Sequence, residues 1–284
     1  MVYIFYLSKI HFPLVEIKSN LFHQSIKMFL FLIPMINISI LGTGKVGTHL
    51  IKACINNPMI QLVQVYNRSE QGLTLYKGFT PITTDVITLK KADLYIVALP
   101  DDVIKTIDLS HLQGLIVHTS GTKSFTILQA KRRGVFYPAQ SFTKEKNINF
   151  KAVPVCIETE FEVDFNLLQN FASMIAQHVY ELSEEKRQKL HLAAVFANNF
   201  SNRVMGIAYD ICKEHQIDFQ ILQPLLQETF LKTQILPPKV AQTGPAVRND
   251  VQTIEKHLNQ LEGTDKEVYQ ILTKSIQEKH GIKL

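Results

Sequence analysis

Cysteine is scarce in this sequence: Cys54, Cys156 and Cys212 are the only three, and no two form a Cys-x-x-Cys pair. So few, so far apart, cannot make a disulfide framework and fit a reducing compartment, so the expected location is cytoplasmic. The ten histidines make no short, regularly spaced cluster with cysteine, and no metal is assigned. Charge is also sparse. Charged residues are 19% of the chain, and the formal net charge of +5 is scattered rather than gathered in a stripe, which argues against nucleic acid as a partner. No apolar run reaches the roughly 18 residues that span a bilayer, so stable membrane insertion is not expected. The Gly-x-Ser-x-Gly elbow and the phosphate loop ending in Gly-Lys-Ser/Thr are missing, which argues against hydrolysis and phosphoryl transfer. There is no internal repeat and no low-complexity tract.

What is present is a chain of 284 residues, 46% apolar, long enough to bury a core in two domains. Residues 1–34 are read as an extension. They are apolar and aromatic but interrupted by Lys9, His11, Pro13, Glu16, Lys18 and Lys27. Three readings stay open: a misassigned start with Met35 or Met28 as the true first residue, a poorly ordered tail, or a weak membrane anchor.

From Ile36 to Leu41 the chain reads as a strand, and Gly42-Thr43-Gly44-Lys45-Val46-Gly47 then opens a helical pattern through Cys54. Asn56-Asn57-Pro58 stops that helix, and Leu62 to Tyr66 forms a second strand closing on Asn67-Arg68-Ser69. Further strands are expected at 94–99, 115–118, 135–137, 153–157 and 178–182, with helical stretches at 102–107, 125–131 and 165–176. Alternating strands and helices imply an α/β fold, a Rossmann-type, mostly parallel sheet over residues 36–182. Beyond Ser183 the strand signals stop. Residues 184–215 read as one long helix, and residues 183–284 as a C-terminal all-α domain broken at Pro224, Pro237-Pro238 and Gly244-Pro245.

The glycine spacing is a dinucleotide fingerprint: Gly42 for a tight turn, Gly44 for close approach of the pyrophosphate, Gly47 for close helix packing, with the N–H groups of Thr43, Lys45 and Val46 beside them. Sites that take NAD usually end the second strand in Asp or Glu, to bind the ribose hydroxyls. This chain has Asn67, which does not repel a 2′-phosphate, followed by Arg68, which can pair with one, and Ser69, which can donate to it. NADP is therefore expected over NAD. Leu99 and Pro100, at the end of the next strand, complete the expected cofactor contacts.

Five segments carry a family resemblance: the glycine turn; His118-Thr119-Ser120-Gly121; Tyr137-Pro138-Ala139-Gln140-Ser141-Phe142; residues 191–200, from His191 to Phe200; and residues 242–250, from Gln242 to Asp250. In these the chain resembles the Rossmann-like proteins that carry the domain of unknown function 2520, distant relatives of pyrroline-5-carboxylate reductase and of the β-hydroxyacid dehydrogenases. The resemblance implies a dinucleotide-dependent reductase or dehydrogenase acting on a small molecule, with its active site between the domains and often a homodimer joined through the helical parts. Chemistry on such a scaffold is hydride transfer to or from a carbonyl, imine or hydroxy-acid carbon. The β-hydroxyacid dehydrogenases place a Lys, and an Asn one turn later, on the first helix of the second domain. This chain offers His191 there, with its asparagines two turns on.

On an unbroken helix His191, Val195, Asn198, Asn199 and Asn202 share one face. An imidazole can donate the proton that accompanies hydride delivery, and an Asn amide can orient a carbonyl or carboxylate. His191, Asn198, Ser120 and Tyr137 are the expected catalytic groups, and His118, Gly121, Gln140, Asn199 and Arg248 the expected substrate contacts. A plainer reading stands beside each: a buried polar stripe at an interface, a structural turn, or an Arg248–Asp250 pair. The alternative function is a dinucleotide-sensing protein that keeps the fold without the chemistry, for which the missing Lys speaks.

Overall fold

The structure is a computed structural model and describes residues 35–282. The expectations for residues 1–34 lie outside the described residues. The chain divides into two compact units, one ending at Val195 and the other beginning at Phe196.

The first unit is built on one eight-stranded sheet in the order β3-β2-β1-β4-β5-β6-β7-β8. β1 (Ile36–Leu41) passes through the glycine turn into α1 (Lys45–Ile55) and returns as β2 (Ile60–Tyr66). The helix forms because Leu50, Ile51 and Cys54 recur at helical spacing, and all three are fully buried. Burial of Leu50 and Ile51 contributes roughly 1.5–3 kcal/mol each. The helix stops at Ile55 because Asn56 caps it and Pro58 follows. After β3 (Ile82–Thr83) the chain crosses to the other side of β1 and lays down β4 (Leu94–Val97), β5 (Leu115–His118) and β6 (Arg133–Pro138), all parallel to β1. β7 (Val155–Thr159) runs antiparallel to β6, and β8 (Val179–Glu181) parallel to β7.

Both faces of the sheet are covered. Ile38, Ile40, Leu94, Ile96, Leu115 and Val117 pack on one side with α1 and with α3 (Glu162–Ile175); Leu41, Tyr95, Val97 and Ile116 pack on the other with Ile104 of α2 (Asp101–Thr106). Double burial is why these strands read as near-continuous apolar runs. The order reverses between β1 and β4, and the loops after β1, β4, β5 and β6 leave the same edge of the sheet. That edge is where an open α/β sheet binds ligands.

Three elements differ from the sequence reading. β3 has two residues, too few to give a periodic signal. The helix expected at 125–131 is a single 3-10 turn, Phe125–Ile127, because Gln129 is drawn into a parallel bridge with Asp108. The long helix at 184–215 is two, α4 (Glu184–Ala194) and α5 (Ser201–Glu214), with a π-helical turn at Val195–Phe200 between them.

The second unit contains α5, α6 (Gln223–Ile235), α7 (Pro238–Ala241), α8 (Val251–Leu258) and α9 (Gly263–Lys279). Pro224 sits in the first turn of α6, where its missing N–H costs nothing, and Pro237-Pro238 opens α7 in the same way. Among the described residues no helix is long and apolar enough to cross a membrane.

Candidate active site

The glycine turn explains its own residues by space. Gly42 has φ +110°, and a Cβ there would lie 2.4 Å from the carbonyl oxygen of Ala98. A Cβ on Gly47 would lie 2.0 Å from the Gly42 oxygen, so α1 packs directly on the turn. Gly44 differs: a Cβ there meets nothing within 4 Å. It stands before the first turn of α1, which has no side-chain cap and no acidic residue. Free N–H groups and the positive end of the helix dipole face that open space, a setting that fits a pyrophosphate.

Asn67, at the end of β2, ties this turn to its neighbour. Its Oδ1 accepts from the Thr43 N–H at 3.4 Å, and its Nδ2 donates to the Ser69 carbonyl at 3.0 Å and hydroxyl at 3.2 Å. Gly72 lies over the pair, where a Cβ would come within 2.5 Å of Asn67 and 2.6 Å of Thr43. Arg68 is exposed and in no ion pair among the described residues, and so is Lys45. Leu99 is half-buried under Gly42, and Pro100 caps α2.

The turn after β5 revises two expectations. His118 is fully buried, with Nδ1 accepting from the Ser120 N–H and Nε2 donating to the Ser124 carbonyl, both at 3.1 Å. Burial pushes its pKa down to about 4, so the ring is neutral, and both nitrogens are spent inside the turn. The ring shapes the loop, and neither of its nitrogens is left for a substrate. Ser120 is spent as well. Its hydroxyl donates to Asp101 Oδ2 at 3.2 Å and accepts from the N–H groups of Thr122 and Lys123, each at 3.3 Å. A hydroxyl with its proton and lone pairs so engaged closes a turn and is a poor proton donor.

What the structure brings together is Tyr137, His191 and Gly121. The Tyr137 hydroxyl lies 3.2 Å from His191 Nδ1, and the rings meet edge to face at 5.9 Å. A Cβ on Gly121 would fall 2.5 Å from His191 Nδ1 and 2.9 Å from the Tyr137 ring, so only glycine leaves room for the pair. Burial raises the Tyr137 pKa above its ordinary value, and nearby Cys156 adds to the shift while Arg187 opposes it. The phenol is therefore protonated at neutral pH. α4 brings His191 here from a start capped by Ser183, with Glu184 and Glu185 favouring the helix dipole.

Sequence reasoning missed Asp101, Glu158 and Arg187. Asp101 follows Leu99-Pro100 directly and bridges to Ser120 and Thr122. Arg187 lies one turn before His191 on α4, a spacing visible in the sequence, but an Arg on a polar helix reads as a surface charge.

Gln140 is exposed, and its Oε1 accepts from the next residue's N–H at 2.8 Å. Asn198, Asn199 and Asn202 are exposed on the second unit. The shared face expected for them with His191 assumed an unbroken period of 3.6, and the i→i+5 turn at Val195–Phe200 breaks that spacing. Arg248 is exposed, and Asp250 caps α8 by accepting from Thr253 at 3.1 and 2.9 Å; among the described residues the two make no ion pair within 4.0 Å, although, beside those Thr253 hydrogen bonds, the Arg248 charge helps hold the Asp250 pKa down. No group of three or more His, Cys, Asp or Glu among the described residues could hold a metal ion.

Residues 153–276 match the family model for the domain of unknown function DUF2520. A Bacteroides fragilis protein provisionally named an NADP oxidoreductase is 35% identical, with a TM-score of 0.79 over 86% of this chain and 98% of that one. The chain belongs to the Rossmann-like proteins that carry DUF2520. A Thermotoga maritima protein is 22% identical, with a TM-score of 0.65 over 86% of this chain and 98% of its own. A 1-pyrroline-5-carboxylate reductase from Streptococcus pyogenes shares the fold at 15% identity and a TM-score of 0.58, over 87% of this chain and 98% of that one. No curated protein matches the chain in sequence.

Proposed function

We propose that the protein is an NADP(H)-dependent oxidoreductase acting on a small carbonyl, imine or hydroxy-acid substrate, with Tyr137 and His191 as its proton-delivering pair. The observation that carries this is the pair itself: a buried, protonated phenol in hydrogen-bond reach of an imidazole, at the same sheet edge as the glycine turn. The NADP oxidoreductase name of the 35%-identical relative supports the cofactor and the reaction class.

The open space at Gly44 fits the pyrophosphate, with Thr43, Lys45, Val46 and Gly47 around it, and exposed Arg68 with Ser69 is free for a 2′-phosphate. When bound, the nicotinamide supplies or accepts the hydride. The chain's own task is then the proton. In the reducing direction the Tyr137 hydroxyl gives its proton to the substrate oxygen or nitrogen, and His191 Nδ1 orients the phenol and restores the proton afterwards. Because His191 is only half-buried, its ring can exchange protons with solvent while Tyr137 stays dry. Gln140, Asn199 and Arg248 remain proposed substrate contacts, and Asn198 a proposed catalytic group, on chemistry alone.

A homodimer belongs to the same proposal. In the second unit only Cys212, Ala246, Ile254 and Gln277 are buried among the described residues, while Phe230 is 64% and Ile235 82% exposed. A helical unit with so little core needs a second surface, and a second copy supplies one.

The test is NADPH oxidation, read by absorbance against a panel of small 2-oxo acids and cyclic imines, with Y137F beside the wild type. Turnover that falls about 100-fold or more in Y137F at unchanged NADPH affinity is expected. NADPH binding with no turnover on any substrate would instead favour the sensing protein.

A further inference from the structure

We propose that Arg187 is the positioning residue that sets His191 against Tyr137, an assignment resting on the reading of that pair as the proton-delivering group. Arg187 is 0% exposed, a rare state for arginine that demands partners. Its Nη1 donates to the carbonyls of Ser120 at 3.3 Å and Lys123 at 2.8 Å, and its Nη2 to Glu158 Oε2 at 3.1 Å. The other oxygen of Glu158 accepts from the Glu184 N–H at 2.9 Å, at the start of α4. One guanidinium thus joins the turn after β5, the strand β7 and the helix that carries His191.

Residues four apart share a helix face, so the side of α4 that sends Arg187 into the turn also presents His191 over Gly121. There is no slack in that arrangement. His191 Nδ1 lies 2.5 Å from where a Gly121 Cβ would be, and 3.2 Å from the Tyr137 hydroxyl, near the long end of a good hydrogen bond. A shift of a few tenths of an ångström in either the turn or the helix would part the pair. Stability alone gives little reason to keep the guanidinium. A buried ion pair is often matched by apolar residues of similar volume, and here Arg187 Nε is buried without a partner. What the planar, multiply bonded group supplies is direction.

The experiment reads the His191 ring nitrogens by NMR at one fixed pH in the full-length chain, comparing wild type, Y137F, R187M and the double variant. Y137F is expected to move the His191 Nδ1 resonance by removing its partner. R187M should move it the same way, and the double variant should add nothing to Y137F. With a substrate from the panel, R187M should lower kcat by about tenfold or more while NADPH affinity holds within about twofold. An R187M resonance at the wild-type position, while Y137F moves it, overturns the proposal; a Y137F spectrum identical to wild type overturns the pair and the proposal together. The NMR result stands whether or not NADPH is ever oxidised, so failure of the oxidoreductase reading is seen separately. If R187M does not fold, E158Q, which weakens the hold on Nη2 but keeps the acceptor, is read in the same two assays. An unmoved resonance there also overturns the proposal.

Discussion

Acid should loosen this fold through one residue, His118, before most carboxylates are protonated. Burial is the main cause of its low pKa; the Ser124 carbonyl pulls the value up, Arg187 pushes it down, and Asp101 and Glu184 pull it up again. In the unfolded chain the ring titrates near its ordinary value of 6.5, and in the folded one at about 4. The folded value is the lower, so the unfolded state binds more protons between the two. Stability is therefore fully present above the unfolded pKa and is lost as pH falls toward the folded one. At 1.36 kcal/mol per pH unit the ceiling is about 3 kcal/mol, of which about 2 kcal/mol is gone by about pH 4.5. Structure supplies the mechanism: a proton on Nδ1 would face the Ser120 N–H, which now donates to that nitrogen at 3.1 Å. Carboxylates begin to titrate in the same range, so the comparison is with H118N, whose amide oxygen can accept from the Ser120 N–H and carries no charge. Urea unfolding of both proteins at about pH 7 and about pH 4.5 should show wild type losing about 2 kcal/mol more than the variant. Parallel losses would refute the reasoning and remove His118 as the acid-sensitive group.

Three further outcomes follow from the site. S120A should cost about 1 kcal/mol of stability, because its hydroxyl holds Asp101 and two backbone N–H groups, yet leave turnover per folded molecule within about threefold; a loss of about 100-fold would restore Ser120 as a proton donor. R68A should weaken NADPH binding by roughly tenfold, the scale of one charge-assisted bond, with NADH nearly unchanged in the same titration calorimetry; equal weakening of both would separate Arg68 from the 2′-phosphate. G44V should keep its melting temperature, since nothing lies within 4 Å of the new Cβ, but lose both dinucleotides, and retained affinity would take Gly44 out of the site.

The glycine turn and its flanking strand and helix were legible because their causes are local. A β-branched run, three glycines at fixed spacing and a helical apolar stripe act within about twenty residues of one another. The apolar strands β4 and β5 were legible for a related reason: burial on both faces of a parallel sheet writes itself into sequence as an unbroken hydrophobic run. β3 and the turn at Phe125–Ile127 escaped because they are too short for any period to register. The π-helical turn escaped because a change from 3.6 residues per turn leaves no mark in residue types, and with it went the shared face expected for His191 and the asparagines.

Residue chemistry alone put Ser120, Tyr137 and His191 forward as catalytic groups and His118 and Gly121 as substrate contacts. Only the tertiary structure divided them, because a side chain's role depends on which of its donors and acceptors are already taken, and by groups distant in sequence. Tyr137 and His191 are 54 residues apart, and Arg187 reaches Ser120 across 67. Sequence determined the scaffold, since that follows from local periodicity and from the alternation of strands and helices. Packing decided which polar groups are spent on holding the turn and which are left to act.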